Sequence, residues 1–223
     1  MYSKIVLAIP HATRVITTAW SDPEKIQQDA DRWTDWDTDV MFFVEHPCIE
    51  AVIGSISRFD CDLERLMDDP LETEGRGILY TRSHSGAVRE LDPKTRERLT
   101  AEWFAYRAKL SQAIAESTLL IDCHSFPSDI ASDIDICIGV NDDESRPMED
   151  TITIVVDHFT SLEYRTRVNE PYSNSITPES NTPYHSLMIE LNKQLYWNEV
   201  ALRRIDRAAD VREDLKLLYE RLL

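Results

Sequence analysis

The sequence predicts a three-layer α/β/α fold with a mostly parallel central sheet, and three observations carry that expectation. Compact apolar runs of strand type at Ile5–Ile9, Cys48–Ile53, Leu119–Cys123, Ile134–Val140 and Leu187–Leu191 alternate with helical stretches, as in sheets covered by helices. Leu119–Cys123 and Ile134–Val140 are short apolar runs of the kind that parallel sheets bury on both faces. The 223 residues, 42% hydrophobic and 9% aromatic, are enough to close a core. No repeat, low-complexity linker or internal boundary divides the chain, so residues 1–223 are expected to form one domain.

The elements follow in order. Lys4–Ile9 is a compact β-type run, and His11 stands just past its end. Pro23–Arg32 reads as a short polar helix, and the acidic cluster Asp35–Asp39 leads into the apolar Val40–Val44. Cys48–Ile53, rich in Val and Ile and closed by Gly54, is a second strand. The polar, broken and charged stretch Asp68–Leu91 is expected to cross the surface. Asp92-Pro93 then opens the clearest helix, with an N-cap carboxylate and a proline at the first helical position. Its residues Leu99, Trp103, Tyr106, Leu110 and Ile114 recur at spacings of three and four. Thr151–Phe159 is ambiguous, β-branched in content yet with Ile152, Val155, Val156 and Phe159 at helical spacing. After the last strand, Leu187–Leu191, the charged and amphipathic remainder to Leu223 reads as helical.

Charge and glycine content remove several functions. A formal charge of −17 repels nucleic acid and anionic membrane surfaces, so neither is an expected partner. With 5 glycines there is no glycine-rich lysine loop, and Gly75-Arg76-Gly77 lacks the third glycine of a dinucleotide fingerprint. Kinase-like and nicotinamide-dependent chemistries are excluded. Cys48, Cys61, Cys123 and Cys137 are well separated and form no Cys-x-x-Cys pair, which fits a reducing compartment. The apolar run before Pro10 is too short for a signal segment, and no run approaches a membrane span, so a cytoplasmic protein is expected.

Open α/β sheets carry their sites just beyond the carboxyl ends of strands. His11 and His124 stand there, the latter within Asp122-Cys123-His124-Ser125. Imidazoles with carboxylates are the ligands of catalytic zinc, although long spacers of this kind also suit histidines that are simply satisfied in loops. His46, His84, His158 and His185 read as structural or solvated. Ser125 lacks the glycines of a nucleophile elbow. Glu190 interrupts the apolar Leu187–Leu191, which requires either a polar cavity or a wet sheet face. Arg58 and Arg65 flank an acidic neighbourhood, and are either local ion-pair partners or a guanidinium fork for a substrate carboxylate.

Taken in order, these segments resemble the N-formylglutamate amidohydrolase family of the zinc carboxypeptidase-like fold. Ile9-Pro10-His11-Ala12 is similar to its Pro-His-Ser-Gly segment, and Thr34-Asp35-Trp36-Asp37-Thr38-Asp39 to its Thr-Asp-Trp-His-x-x-Asp segment. Ser57-Arg58 and Asp62-Leu63-Glu64-Arg65 resemble its Ser-Arg and Asp-Leu-Asn-Arg elements. Asp122-Cys123-His124-Ser125 matches its Asp-x-His-Ser motif, and Asp135–Gly139 follows as its next strand would. Asn169-Glu170-Pro171-Tyr172 with Ile176-Thr177, then Leu187–Glu190 and Tyr196, complete the resemblance, which runs from about Ile9 to Tyr196. Ala12-Thr13 replaces Ser-Gly, Asp37 stands where His is common, Glu64 replaces Asn, and Asn174-Ser175 stands in place of a Gly-Gly pair.

The resemblance implies a mixed, mostly parallel sheet, a helix over Thr151–Phe159, and one zinc ion held by His11, His124 and an acidic residue. Asp35 is preferred as the third ligand, with Asp39 its rival. It further implies Glu190 as proton carrier, Arg58 at the oxyanion, and Arg65, Asn169 and Tyr172 on the substrate. The implied substrate is a small anionic N-acyl amino acid, most directly N-formyl-L-glutamate. A deacylase or carboxypeptidase for another acyl amino acid or a peptide, and a catalytically silent binding protein on the same fold, are the alternatives. The oligomeric state is not legible in the sequence.

Overall fold

A computed structural model describes residues 1–223. In chain order its elements are β1 (Lys4–Ile9), α1 (Pro23–Trp33), α2 (Thr38–Phe42), β2 (Ile49–Ile53), α3 (Pro93–Ala113), β3 (Thr118–Phe126), β4 (Ile136–Val140), α4 (Glu149–Ser161), β5 (Thr166–Val168), β6 (His185–Asn192), β7 (Trp197–Asn198), β8 (Arg203–Arg204) and α5 (Ala208–Leu222). Six strands form one sheet in the order β2-β1-β3-β6-β4-β5. Strands β2, β1, β3 and β6 are parallel, whereas β4 runs antiparallel to β6 and carries β5 beside it. The expected mixed, mostly parallel three-layer fold is therefore present.

Alternation along each strand sorts the core into two faces. Ile5, Leu7, Leu119, Ile121, Ile138 and Ile189 face α2, α4 and α5, where Phe42, Val155, Phe159, Val211, Leu215 and Leu218 meet them. Val6, Ala8 and Leu120 face the other way and pack on Leu99, Trp103, Tyr106 and Leu110 of α3. Helix α3 starts as the sequence predicts, with Asp92 accepting from the first-turn amides ahead of Pro93, and α1 starts the same way, with Asp22 accepting ahead of Pro23. The ambiguous stretch is helical, within α4. Its β-branched residues cost a few tenths of a kcal/mol each, roughly 0.5, against about 1.5–3 kcal/mol for burying each of Ile152, Val155 and Phe159. Packing wins over propensity.

Three expectations need correction. The stretch Asp68–Leu91 does not simply cross the surface, because Tyr80, Ala87 and Arg89 are buried. Tyr80 and Ala87 pack with Ile26 and Ala30 of α1 and with Phe59, while the guanidinium of Arg89 is neutralised by Asp60 at 3.2 Å. Polar composition misled here because the polar groups are paired inside. The segment after β6 is not continuously helical: a 3-10 turn over Lys193–Leu195 and the β7–β8 pair precede α5. Strand β3 also continues through His124 to Phe126, so His124 lies in the strand and not past its end. The four cysteines are unpaired, with Cys61, Cys123 and Cys137 buried. No helix is long and apolar enough to cross a membrane.

Candidate active site

Three neighbouring strands deliver the central residues. His11 follows β1, while His124 near the end of β3 is the register partner of Glu190 in β6. Register partners in a parallel pair point to the same face, and so do residues two apart on one strand. Asp122, His124 and Glu190 therefore share the α3 face of the sheet. Gly54 lets β1 end where it does: a Cβ there would stand 2.3 Å from the Pro10 carbonyl oxygen, immediately before His11.

Each histidine is tied through Nε2 to its own buried carboxylate. His11 Nε2 lies 2.8 Å from Asp62 Oδ1, and His124 Nε2 lies 2.9 Å from Asp122 Oδ1. Asp122 is fixed in turn by the amide of Ile176 at 2.8 Å. Both Nδ1 atoms then face Asp35, whose Oδ2 is 3.5 Å from His11 and 3.0 Å from His124. His11 Nδ1 is buried and has no hydrogen-bond partner. A neutral ring donating through Nε2 presents a bare lone pair there, the form a metal ligand takes.

Asp35 arrives on the turn after α1, with its amide on the His11 carbonyl at 3.2 Å. The end of α1 is held by side chains: the Asp31 carbonyl accepts from Trp36 Nε1, the Arg32 carbonyl from Lys193 and the Trp33 carbonyl from Arg58. Burial pushes the Asp35 carboxyl up, but the hydrogen bonds and charges of His11 and His124 more than offset this and hold it below the usual carboxylate range. Asp39 lies on α2, partly exposed and outside this group. The geometry thus brings His11, Asp35 and His124 together and leaves Asp39 out.

Glu190 is buried, with Oε2 unpartnered, so the wet-face explanation of this residue does not hold. Burial pushes its carboxyl up to about 8, with Asp35 and Glu64 adding to the rise and His124 and Arg58 opposing it. Arg58 and Arg65 converge on Asp62, at 3.3 and 3.6 Å. Tyr80 donates to the same carboxylate at 3.1 Å. Burial pushes the Asp62 carboxyl up, but His11 and the two arginines hold it well below the usual range.

These groups border a cleft of about 520 Å³, which Asp35, Arg58, Arg65, His124, Tyr172 and Glu190 all line. Asn169 is absent from it, contrary to expectation: its side-chain oxygen accepts from the Val140 amide at 2.8 Å, and the residue anchors β4 at a positive φ of 56°. An asparagine suits that left-handed position, which is a structural reason for its presence. His84 does line the cleft, stacked on Trp33 at 4.6 Å between ring centres, although its polar loop gave no sign of this. Burial, with Arg58 and Arg76 nearby, lowers its pKa to about 4. Asp62 and Tyr80 join the group through contacts that no local pattern signals. Glu64, which the sequence marks only as a departure at the substrate pocket, comes close to both rings, since ligand atoms of His11, Glu64 and His124 lie within 4.8 Å of one another.

Two buried imidazoles with carboxylate supports, an unpartnered ring nitrogen and a buried carboxylate beside them define an amide-hydrolase type of site. The family model of N-formylglutamate amidohydrolase matches residues 3–197, and the chain belongs to that family. It is accordingly a hydrolase of amide bonds. No curated protein matches it. Among solved structures, the N-formylglutamate amidohydrolase from Ralstonia eutropha JMP134 superposes with a TM-score of 0.80 at 17% identity, covering 99% of this chain and 93% of that one. A gene product of Agrobacterium tumefaciens superposes with a TM-score of 0.65 at 16% identity, covering 99% and 92%. At these identities the two likenesses establish the fold.

Proposed function

We propose that the chain is a zinc-dependent amidohydrolase that cleaves a small anionic N-acyl amino acid, first of all N-formyl-L-glutamate, to formate and L-glutamate. The observation that carries this reading is the paired histidines, each tied by Nε2 to a carboxylate and turned by Nδ1 toward Asp35. The donor set suits zinc, with two imidazole nitrogens and one carboxylate, and the orphaned Nδ1 of His11 is explained by a bound cation. His11, Asp35 and His124 would hold that ion. When bound, it supplies Lewis-acid polarisation of the acyl carbonyl and activation of water.

The protein's own groups do the rest. Glu190 removes the proton from the attacking water as the carbon–oxygen bond forms. It returns that proton to the amine as the carbon–nitrogen bond breaks, so one water is consumed per amide cleaved. Arg58 places fixed positive charge where the oxyanion develops. Arg65 offers its fork to a carboxylate of the amino acid, with Tyr172 on the same cleft. The side-chain oxygen of Asn169 is engaged by the Val140 amide, which leaves its Nδ2 as the group it could offer a substrate. The unpaired cysteines fit a cytoplasmic setting.

Replacing Arg58 with Ala should lower kcat/KM by ~10²–10³-fold, the scale of a lost oxyanion donor, while metal content stays unchanged. A panel of N-formyl and N-acetyl derivatives of glutamate, glutamine and neutral amino acids tests the reading as a whole, with amine release measured on zinc-loaded protein. The expected result is fastest release from N-formyl-L-glutamate. Hydrolysis of no member would overturn the reading. Faster release from a neutral derivative would move the substrate to the second reading, a deacylase for another acyl amino acid, which the carboxylate of Glu64 in the cleft favours.

A further inference from the structure

We infer that Glu64 is a fourth protein donor to the metal, making the site a set of two imidazole nitrogens and two carboxylates with His11, Asp35 and His124. This rests on the metal-hydrolase reading above and extends it to a residue that departs from the family's Asp-Leu-Asn-Arg element. Glu64 Oε2 lies 4.0 Å from His11 Nδ1, and ligand atoms of His11, Glu64 and His124 lie within 4.8 Å of one another. Its Oε1 is 3.7 Å from His124 Nε2, the nitrogen held by Asp122, so joining the same ion requires the part-exposed Glu64 side chain to turn toward Nδ1. The arginines next to it in sequence and space do not claim it: Arg58 and Arg65 pair with Asp62 instead. Its carboxylate therefore sits against the two rings and not in an ion pair with a guanidinium.

The surroundings fix the backbone and leave the side chain free. The Glu64 amide donates to Asp62 Oδ1 at 3.3 Å, the same oxygen that holds His11, and its carbonyl accepts from Arg107 at 3.0 Å. The side chain keeps 30% of its surface exposed to the cleft. The independent observation that points to a cation is the buried, unpartnered Nδ1 of His11, which both Asp35 and Glu64 face. Two carboxylates would neutralise a divalent ion completely, where the three-ligand set leaves one positive charge. An oxygen-enriched set of this kind also widens the choice of ion toward cobalt, iron and manganese.

Cobalt(II) is the probe, because its visible absorption is far stronger when four-coordinate than when five- or six-coordinate. The test is titration of the metal-stripped full chain with cobalt, reading the spectrum and the affinity by chelator competition. Wild type, Glu64→Gln, Glu64→Asn and Asp35→Asn are compared, with circular dichroism to establish that each is folded; Glu64→Gln keeps the shape of the side chain. Both Glu64 variants should bind cobalt at least ~10-fold more weakly, since even groups behind the ligands have effects of that size. Their spectra should differ from wild type. Wild-type affinity and spectrum in both Glu64 variants, with weakened binding in Asp35→Asn, would overturn the inference and leave the hydrolase reading intact. Failure of the wild type to bind cobalt at all would overturn both.

Discussion

Glu190→Gln should lose hydrolysis by ~10²–10⁴-fold, the contribution of a positioned proton carrier, while binding metal as the wild type does. The substitution keeps the shape of the side chain and removes only its ability to take and return a proton. Glu190 shares a register position with His124, yet its Oε2 has no partner in the protein, so no internal hydrogen bond explains its burial. A buried carboxyl without a partner costs free energy to ionise, which is why burial holds Glu190 up to about 8, and the amide of Gln stays uncharged above that pH as well as below it. The variant should therefore be at least as stable as the wild type. Thermal melting and metal analysis on the same sample would separate loss of chemistry from loss of structure. Wild-type turnover in Glu190→Gln would remove this residue from the reaction.

His124→Ala should abolish both metal binding and turnover, and should lower stability as well. His124 stands between Asp122 and Asp35, at 2.9 and 3.0 Å, and both carboxylates are buried. Removing the ring takes away the partner of both, and uncompensated buried charge of this kind costs about 3–5 kcal/mol. A folded His124→Ala protein that retained stoichiometric metal would contradict the proposed ligand set. The same substitution at His46, in the loop before β2, should change neither property, because His46 only accepts the Cys48 amide at an exposed site.

A net charge of −17 makes the cleft's arginines more telling. An anionic substrate meets an opposing mean field outside the protein, screened by salt beyond roughly 10 Å at 0.1 M. Attraction must come from groups within the cleft, where Arg58 and Arg65 lie. Asp62 already draws on both, so the positive charge available to a substrate is less than two guanidinium groups would give alone. Glu64 reduces it further unless a cation occupies the site beside it.

Much of this was legible in the sequence because it is carried by local pattern. The apolar runs marked the strands, Asp92-Pro93 marked the start of α3, and Asp122-Cys123-His124 set a carboxylate beside an imidazole, although only the longer β3 shows that the two share one face of a strand. The order of motifs marked the family, and the carboxylate inside Leu187–Leu191 admitted two explanations, of which burial selects the polar cavity. What stayed hidden depends on contacts between distant segments. Asp62 meets His11 across 51 positions, and no local signal connects them. His84 reaches the cleft only because the excursion after β2 folds back on α1. Asn169 has a structural role that the sequence did not signal, a positive φ with its side-chain oxygen on the Val140 amide of β4.

The most direct test of the account is formate release from N-formyl-L-glutamate by the wild-type chain, measured after chelation and again after zinc is restored. Activity should be lost on stripping and return with about one zinc per chain, the number a single site of this ligand set holds. Full hydrolysis by the stripped protein, or none by the zinc-loaded protein, would contradict it.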